Sequence, residues 1–232
     1  MKLGIIGAMD VEVQTLKSQM AQLQITRQAG MEFYEGTLQT VPAVVVQCGV
    51  GKVNAAMCTQ ILCSRYEVTH IINTGIAGSL CAALDIGDLV VSTDVMYHDV
   101  DVTALGYPVG KVPGLDVLAF SADDQLRKYA LAAAEEVHPG HIHSGRVASG
   151  DQFVASREQK NAIIRNTDAV CTEMEGCAIA HTAYRNEIPF VIIRAISDKA
   201  DDSAQMDYPS FEAAAAVRCA AVITALAEQM AK

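Results

Sequence analysis

Tryptophan is absent from the 232 residues, aromatic side chains make up only 5%, and basic residues are scarce, 17 Lys and Arg against 27 Asp and Glu. With a formal net charge of −10 and no Lys/Arg cluster, the chain lacks the cations that displace counterions from a phosphate backbone, so no nucleic-acid partner is expected. Long hydrophobic runs are missing too. Arg218 interrupts the Ala-rich segment near the C-terminus before it reaches the ~18 apolar residues of a membrane span, so no membrane partner is expected. The run Leu3–Met9 has a single basic residue before it and Asp10 and Glu12 after it, which is not the pattern of a secretion signal. None of the seven cysteines forms a Cys-x-x-Cys pair, and Cys48, Cys58, Cys171 and Cys219 stand inside apolar runs. Reduced thiols and a cytoplasmic location are the expectation.

What is present is a hydrophobic fraction of 51%, which excludes disorder. There is no internal repeat and no Pro/Gly/Ser-rich linker, so residues 1–232 read as a single domain around a small-molecule site. Short β-branched runs alternate with segments of helical period, an α/β pattern. Leu3–Gly7, Ala43–Cys48, His70–Asn73, Asp88–Ser92, Arg146–Ser149, Ala169–Cys171 and Phe190–Ile196 read as strands, several apolar on both faces as buried sheet strands are. Val13, Leu16, Met20 and Leu23 make one helical stripe, and Val53, Ala56, Met57, Ile61 and Leu62 another. Further helices are expected at about 122–137, 157–166, 175–187 and 210–230. Met31–Leu38 and Val41–Cys48 are joined only by Gln39-Thr40, too short for a parallel crossover, so the sheet is expected to be mixed.

Two phosphate-binding motifs fail. A dinucleotide fingerprint starting at Gly4 would need glycine at Ile6 and Met9. Gly49-Val50-Gly51-Lys52 has Val53 where a Walker motif needs Ser or Thr. His138, His141 and His143 surround Pro139-Gly140 and read as a turn carrying exposed imidazoles, so metal-free, cofactor-free chemistry is expected.

Ligands of open α/β sheets sit beyond the carboxyl ends of the strands, which singles out four places. Met9-Asp10-Val11-Glu12 is either an acidic helix start or a source of catalytic carboxylate. Asn73-Thr74-Gly75-Ile76-Ala77-Gly78 is a turn or a close backbone approach to a ligand. Glu173-Met174-Glu175 puts two carboxylates at a strand-to-helix junction, where one can cap the helix and the other stay free. Arg194-Ala195-Ile196-Ser197-Asp198 breaks an apolar strand with an arginine and closes it with an acid, either as an ion pair or as part of a site.

These segments, together with Gly4-Ile5-Ile6-Gly7-Ala8-Met9, Gly51-Lys52-Val53, Tyr97-His98-Asp99, Asp101-Val102-Thr103, Gly106-Tyr107 and Ser149-Gly150-Asp151 with Phe153, resemble the bacterial 5′-methylthioadenosine/S-adenosylhomocysteine nucleosidases of the purine nucleoside phosphorylase-like superfamily. The resemblance covers nearly the whole chain. It implies a three-layer α/β sandwich with a central mixed sheet, and a homodimer that hydrolyses the N-glycosidic bond of adenine thionucleosides. By matching positions it makes Glu12 the base on water and Asp198 the acid on the purine. Met9, Val50, Ile76, Phe153, Val154, Glu173, Met174, Glu175, Arg194, Ser197 and Tyr208 would bind substrate, with Phe153 on the adenine, Glu175 on the ribose and Met9, Val50 and Tyr208 around the alkylthio group. Val102, Leu105 and Pro113 would reach the partner subunit's pocket. Ile76 stands where relatives often carry Ser, and Tyr208 and Leu105 replace common phenylalanines. The absence of Lys and Arg between Gly7 and Lys17 leaves that loop without a cation for phosphate, which favours hydrolysis over phosphorolysis.

Overall fold

The computed structural model describes residues 1–231. Its first strand, β1 (Leu3–Gly7), is buried along its whole length and pairs in parallel with β4 (Val41–Gln47) on one side and β5 (His70–Ser79) on the other. β3 (Met31–Leu38) runs antiparallel to β4, as the short link requires. Gln39 and Thr40 both take positive φ, 47° and 69°, the twist that lets a two-residue turn match the twist of its strands. The sheet is therefore mixed, and its faces are covered by two sets of helices. α2 (Lys52–Arg65) and α5 (Gly176–Arg185) pack on the side of Ile6, Val44 and Ile71. α1 (Asp10–Gln19), α3 (Asp124–Val137) and α6 (Ala204–Met230) pack on the side of Leu3, Ile5 and Ile72, and α4 (Arg157–Thr167) lies against a smaller cluster. These are the three expected layers.

Two expectations need correction. Leu23 does not continue the first helical stripe: α1 stops at Gln19, Met20 turns extended, and Leu23 is exposed in an edge strand, β2 (Ala21–Gln28). β2 has most of its residues in solvent on both faces, so it carries no alternating pattern to read. The second stripe is rotated. α2 buries Ala55, Cys58, Thr59, Ile61 and Leu62, while Val53 is 77% exposed and Met57 also faces solvent.

The other half of the sheet curls on itself. β10 (Phe190–Asp198) pairs in parallel with β5 and antiparallel with β6 (Leu89–Tyr97), which also takes the short β7 (Phe120–Ser121). β6 pairs in parallel with β8 (Ile142–Ser149), β8 with β9 (Cys171–Glu173), and β9 returns to the end of β5, closing a ring. Residues 74–79, expected to lie past a strand end, are the second half of β5, held there because β10 and β9 pair along them. The ends of β1, β5, β9 and β10 thereby converge. α6, long and apolar enough by composition to cross a membrane, buries Ala216, Cys219, Val222, Ile223 and Leu226 against this assembly. All seven cysteines are free thiols.

Candidate active site

A half-open cleft lies where those strand ends meet. Of the residues singled out for chemistry or substrate, Met9, Glu12, Val50, Ile76, Phe153, Val154, Glu173, Met174, Glu175, Ser197, Asp198 and Tyr208 all line it.

Glu12 owes its place to the start of α1. It is the third helical residue, and its Oε2 reaches back to accept the N–H groups of Ala8 (2.7 Å) and Met9 (2.9 Å), the box that caps a helix start. Its Oε1 accepts the Ile76 N–H from β5 at 3.1 Å. The acid is thus both a helix cap and a cleft wall. Burial raises its pKa above the ordinary 4.5, against the opposing pull of the Arg194 charge and the three N–H groups.

Asp198 is aimed by an irregularity. The pairing of β10 with β5 slips between Ile196 and Asp198, leaving Ser197 as an extra residue, and this bulge lets two consecutive residues face the cleft. Asp198 Oδ1 accepts the Ala200 N–H (2.7 Å) and Oδ2 accepts the Ser197 hydroxyl (2.9 Å). Burial dominates these bonds and lifts its pKa above 3.8, so its protonated form is favoured relative to an exposed aspartate.

The two acids after β9 divide their work. Glu173 Oε2 accepts the N–H groups of Glu175 (3.0 Å) and Gly176 (2.7 Å) at the start of α5, and its Oε1 accepts the Ser149 hydroxyl. The Glu175 carboxylate accepts the Gly51 N–H at 2.8 Å. Burial, followed by the charge of Glu173, pushes Glu175 up to about 8. The fragment that resembled the end of a P-loop is thereby explained. At the N-terminus of α2 carboxylates already hold two N–H groups, Glu175 on Gly51 and Asp151 on Lys52 (2.8 Å), where a phosphate loop would present them to an anion.

Arg194 does not line the cleft. It is 0% exposed and lies behind the wall, donating through Nη2 to Asn73 Oδ1 (2.5 Å) and to Glu173 Oε2. Gly75 makes room for it. A Cβ there would overlap Arg194 Nη1 and lie 2.5 Å from Glu12 Oε1. Val102, Leu105 and Pro113 are also outside the cleft, on the loop from 98 to 119, with Leu105 74% exposed. Ala8, Ala77 and Gly78, from segments the sequence singled out, also line it, and Gln152 and Thr172, to which the sequence gave no role, complete the wall. Thr172 also carries a buried hydroxyl with no hydrogen-bond partner. The neighbours Phe153 and Glu173 were the available signal for Gln152 and Thr172. Phe153 is 47% exposed and meets Tyr208 edge to face, ring centroids 5.6 Å apart.

The arrangement sets four buried carboxylates, Glu12, Glu173, Glu175 and Asp198, around an apolar cleft with an aromatic edge. Known proteins carry the same framework. The family model described as the phosphorylase superfamily matches residues 2–228. A 5′-methylthioadenosine/S-adenosylhomocysteine nucleosidase of Staphylococcus aureus is 40% identical, covering 98% of this chain and 100% of that protein. The crystal structure of the Neisseria meningitidis nucleosidase of that name, in complex with methylthio-immucillin-A, superposes with a TM-score of 0.95 at 37% identity, covering 98% of this chain and 99% of that one. A futalosine hydrolase of Helicobacter pylori superposes with a TM-score of 0.93 at 30% identity, covering 98% and 97%. The chain belongs to the phosphorylase superfamily and, within it, to the 5′-methylthioadenosine/S-adenosylhomocysteine nucleosidases.

Proposed function

We propose that the protein hydrolyses the N-glycosidic bond of 5′-methylthioadenosine and S-adenosylhomocysteine, releasing adenine and the 5-thioribose product. The observation that carries this reading is the pairing of Glu12 and Asp198, two carboxylates buried on the wall of one cleft and delivered by the strands that flank β5. Cleavage builds positive charge on the sugar and negative charge on the base, so it needs carboxylates near one and a proton donor at the other. Glu12 takes a proton from water as the oxygen attacks the anomeric carbon. The electron pair of the breaking C–N bond goes to the purine, which Asp198 protonates. Burial supports both roles, because a raised pKa lets Asp198 hold its proton closer to neutrality and makes Glu12 a stronger base than an exposed carboxylate.

Arg194 acts from behind the wall, its charge favouring the ionised form of Glu12. Glu175 and Met174 bind the ribose, Phe153 stacks on adenine and the Val154 backbone reads its edge, while Met9, Val50 and Tyr208 enclose the 5′ substituent. The working unit is a homodimer in the cytoplasm, serving methionine salvage. Exposed apolar side chains on the packed pair α2 and α5 (Val53, Met57, Tyr184) and on the 98–119 loop (Leu105, Tyr107) support an interface there, across which Val102, Leu105 and Pro113 reach the partner's cleft.

Adenine release from 5′-methylthioadenosine, assayed with and without phosphate, tests the reading. Equal release without phosphate is expected, with Glu12→Gln and Asp198→Asn each about 10²–10⁴-fold slower while substrate still binds. Strict dependence on phosphate would make the protein a phosphorylase, and binding without turnover would make it a nucleoside-binding module.

A further inference from the structure

Outside the cleft lining, the turn between α3 and β8 and the start of β8 bring three imidazoles around one buried carboxylate. Asp88 precedes β6 and its side chain is only 7% exposed. Its Oδ1 lies 2.9 Å from His141 Nδ1, and its Oδ2 lies 3.1 Å from His143 Nε2 and accepts the Asp85 N–H at 2.8 Å. Pro139-Gly140 reverses the chain tightly, with Gly140 at φ 77° and the His141 N–H bonded to the His138 carbonyl. The reversal stacks the His138 ring on that of His141, with centroids 4.4 Å apart and planes within 16°. One donor atom from each of Asp88, His138 and His141 lies within 4.8 Å of the other two.

We propose that Asp88, His138 and His141 form a binding site for a divalent transition metal of zinc's type, with His143 holding the carboxylate from behind. Two imidazoles and a carboxylate are ligands that zinc accepts at about 2.0–2.2 Å, and a tetrahedral ion then separates its ligands by roughly 3.3 Å. The Asp88–His141 pair is already near that spacing. The longer edges close by rotation of the half-buried His138 and the exposed His141, while Asp88 stays fixed. On binding, the proton shared by His141 Nδ1 and Asp88 leaves for solvent and the metal takes its place. His143 remains on Oδ2, the kind of outer hydrogen bond that orients a ligating carboxylate.

The scaffold is rigid where it matters. The Leu89 N–H bonds to the His141 carbonyl at 2.9 Å, Leu89 pairs with Ile142, and Gly87 and Asp88 bracket Ile196 of β10 through bonds of 2.8 and 2.9 Å. A bound ion would therefore clamp the α3–β8 turn, the start of β6 and β10 together. Arg218 opposes it in part, since its guanidinium is anchored on the Gly87 carbonyl at 2.5 Å and faces His138.

Zinc chloride titrated calorimetrically into chelator-treated protein should bind saturably, one ion per chain, and raise Tm. Cobalt should give a visible absorption band that zinc displaces. His138→Ala and His141→Ala, changes at a half-buried and an exposed ring outside the main cores, should fold normally and lose the binding, and His143→Ala should weaken it about 10–100-fold. A Cys63→Ser/Cys81→Ser variant, which removes the most accessible thiols, should bind as the parent does. Absence of saturable binding in the parent, or binding that survives His138→Ala/His141→Ala, would overturn the proposal.

Discussion

Replacing Gly75 by alanine tests the buried charge arrangement behind the cleft. Its φ of 159° lies at the edge of the range that L side chains rarely adopt, so some backbone strain adds to the crowding. The new methyl would overlap Arg194 Nη1 and sit 2.5 Å from Glu12 Oε1. Neither group has a cheap escape. Arg194 is fully enclosed and held by Asn73 and Glu173, and Glu12 is held by three backbone N–H groups. Displacing the guanidinium from Glu173 uncouples a buried ion pair, a loss of about 3–5 kcal/mol. For a chain of this size that is a fall in Tm of about 6–20 °C. Gly30→Ala is the control. Nothing lies within 4 Å of the added carbon there, but φ is 79°, so only backbone strain of about 1–2 kcal/mol is expected. Scanning calorimetry on both variants, with adenine release measured beside it, gives the answer. Turnover of Gly75→Ala should fall by about 10²-fold or more, because Glu12 is moved from its water. A Gly75→Ala protein that melts no lower than the control and turns over at the parental rate would refute the crowding of Arg194 and Glu12 at this position.

Other outcomes follow from the same geometry. Ser149→Ala leaves Glu173 Oε1 and the Cys177 N–H without the hydroxyl that serves both, and should cost about 1–3 kcal/mol by denaturant unfolding. Glu175 shifts from 4.5 to about 8 on folding, so the folded chain keeps a proton that the unfolded chain releases. Its contribution to stability is full below 4.5 and declines as pH rises towards 8. Glu175→Gln should flatten the fall in stability over that window in a pH series of unfolding curves. The pH profile of kcat/KM should be bell-shaped, with its acid limb above the usual glutamate range because Glu12 is raised. Asp198→Asn should remove the alkaline limb from whatever activity is left. Val53→Asp on the exposed face of α2 should shift the sedimentation profile towards monomer and lower activity with it, whereas unchanged mass would place the interface elsewhere.

Much of this site was legible because its residues interrupt patterns. Glu12, Glu173, Glu175 and Asp198 are acids set at the ends of apolar strands, where burial makes a carboxylate costly without a purpose. Arg194 was visible for the same reason, but its depth was not. Only the room left by Gly75 and the partners Asn73 and Glu173, from two other strands, put it behind the wall. Thr172 and Gln152 drew no role because a polar residue near a strand end is ordinary until its neighbours are known. In the fold, β1, β4 and the β3–β4 hairpin followed from short apolar runs and a link too brief for a crossover. β2 escaped because an edge strand in solvent has no buried face to write a period into its sequence. The second half of β5 escaped because Gly75, Ala77 and Gly78 carry little strand signal, and its extension depends on β9 and β10, far away in the chain.

The ring closed by β5 and β9 has a consequence for how such a catalyst can change. β10, which bears Asp198, has a hydrogen-bonded neighbour on each side, so it has no spare margin along which to slip or to recruit another polypeptide. Asp198 itself is held from the β5 side, where it pairs with Gly78. Tyr208, at the opening turns of α6, touches the same cavity from an element outside the sheet. Variation in which nucleosides are accepted can accumulate there while the bond-breaking apparatus stays untouched.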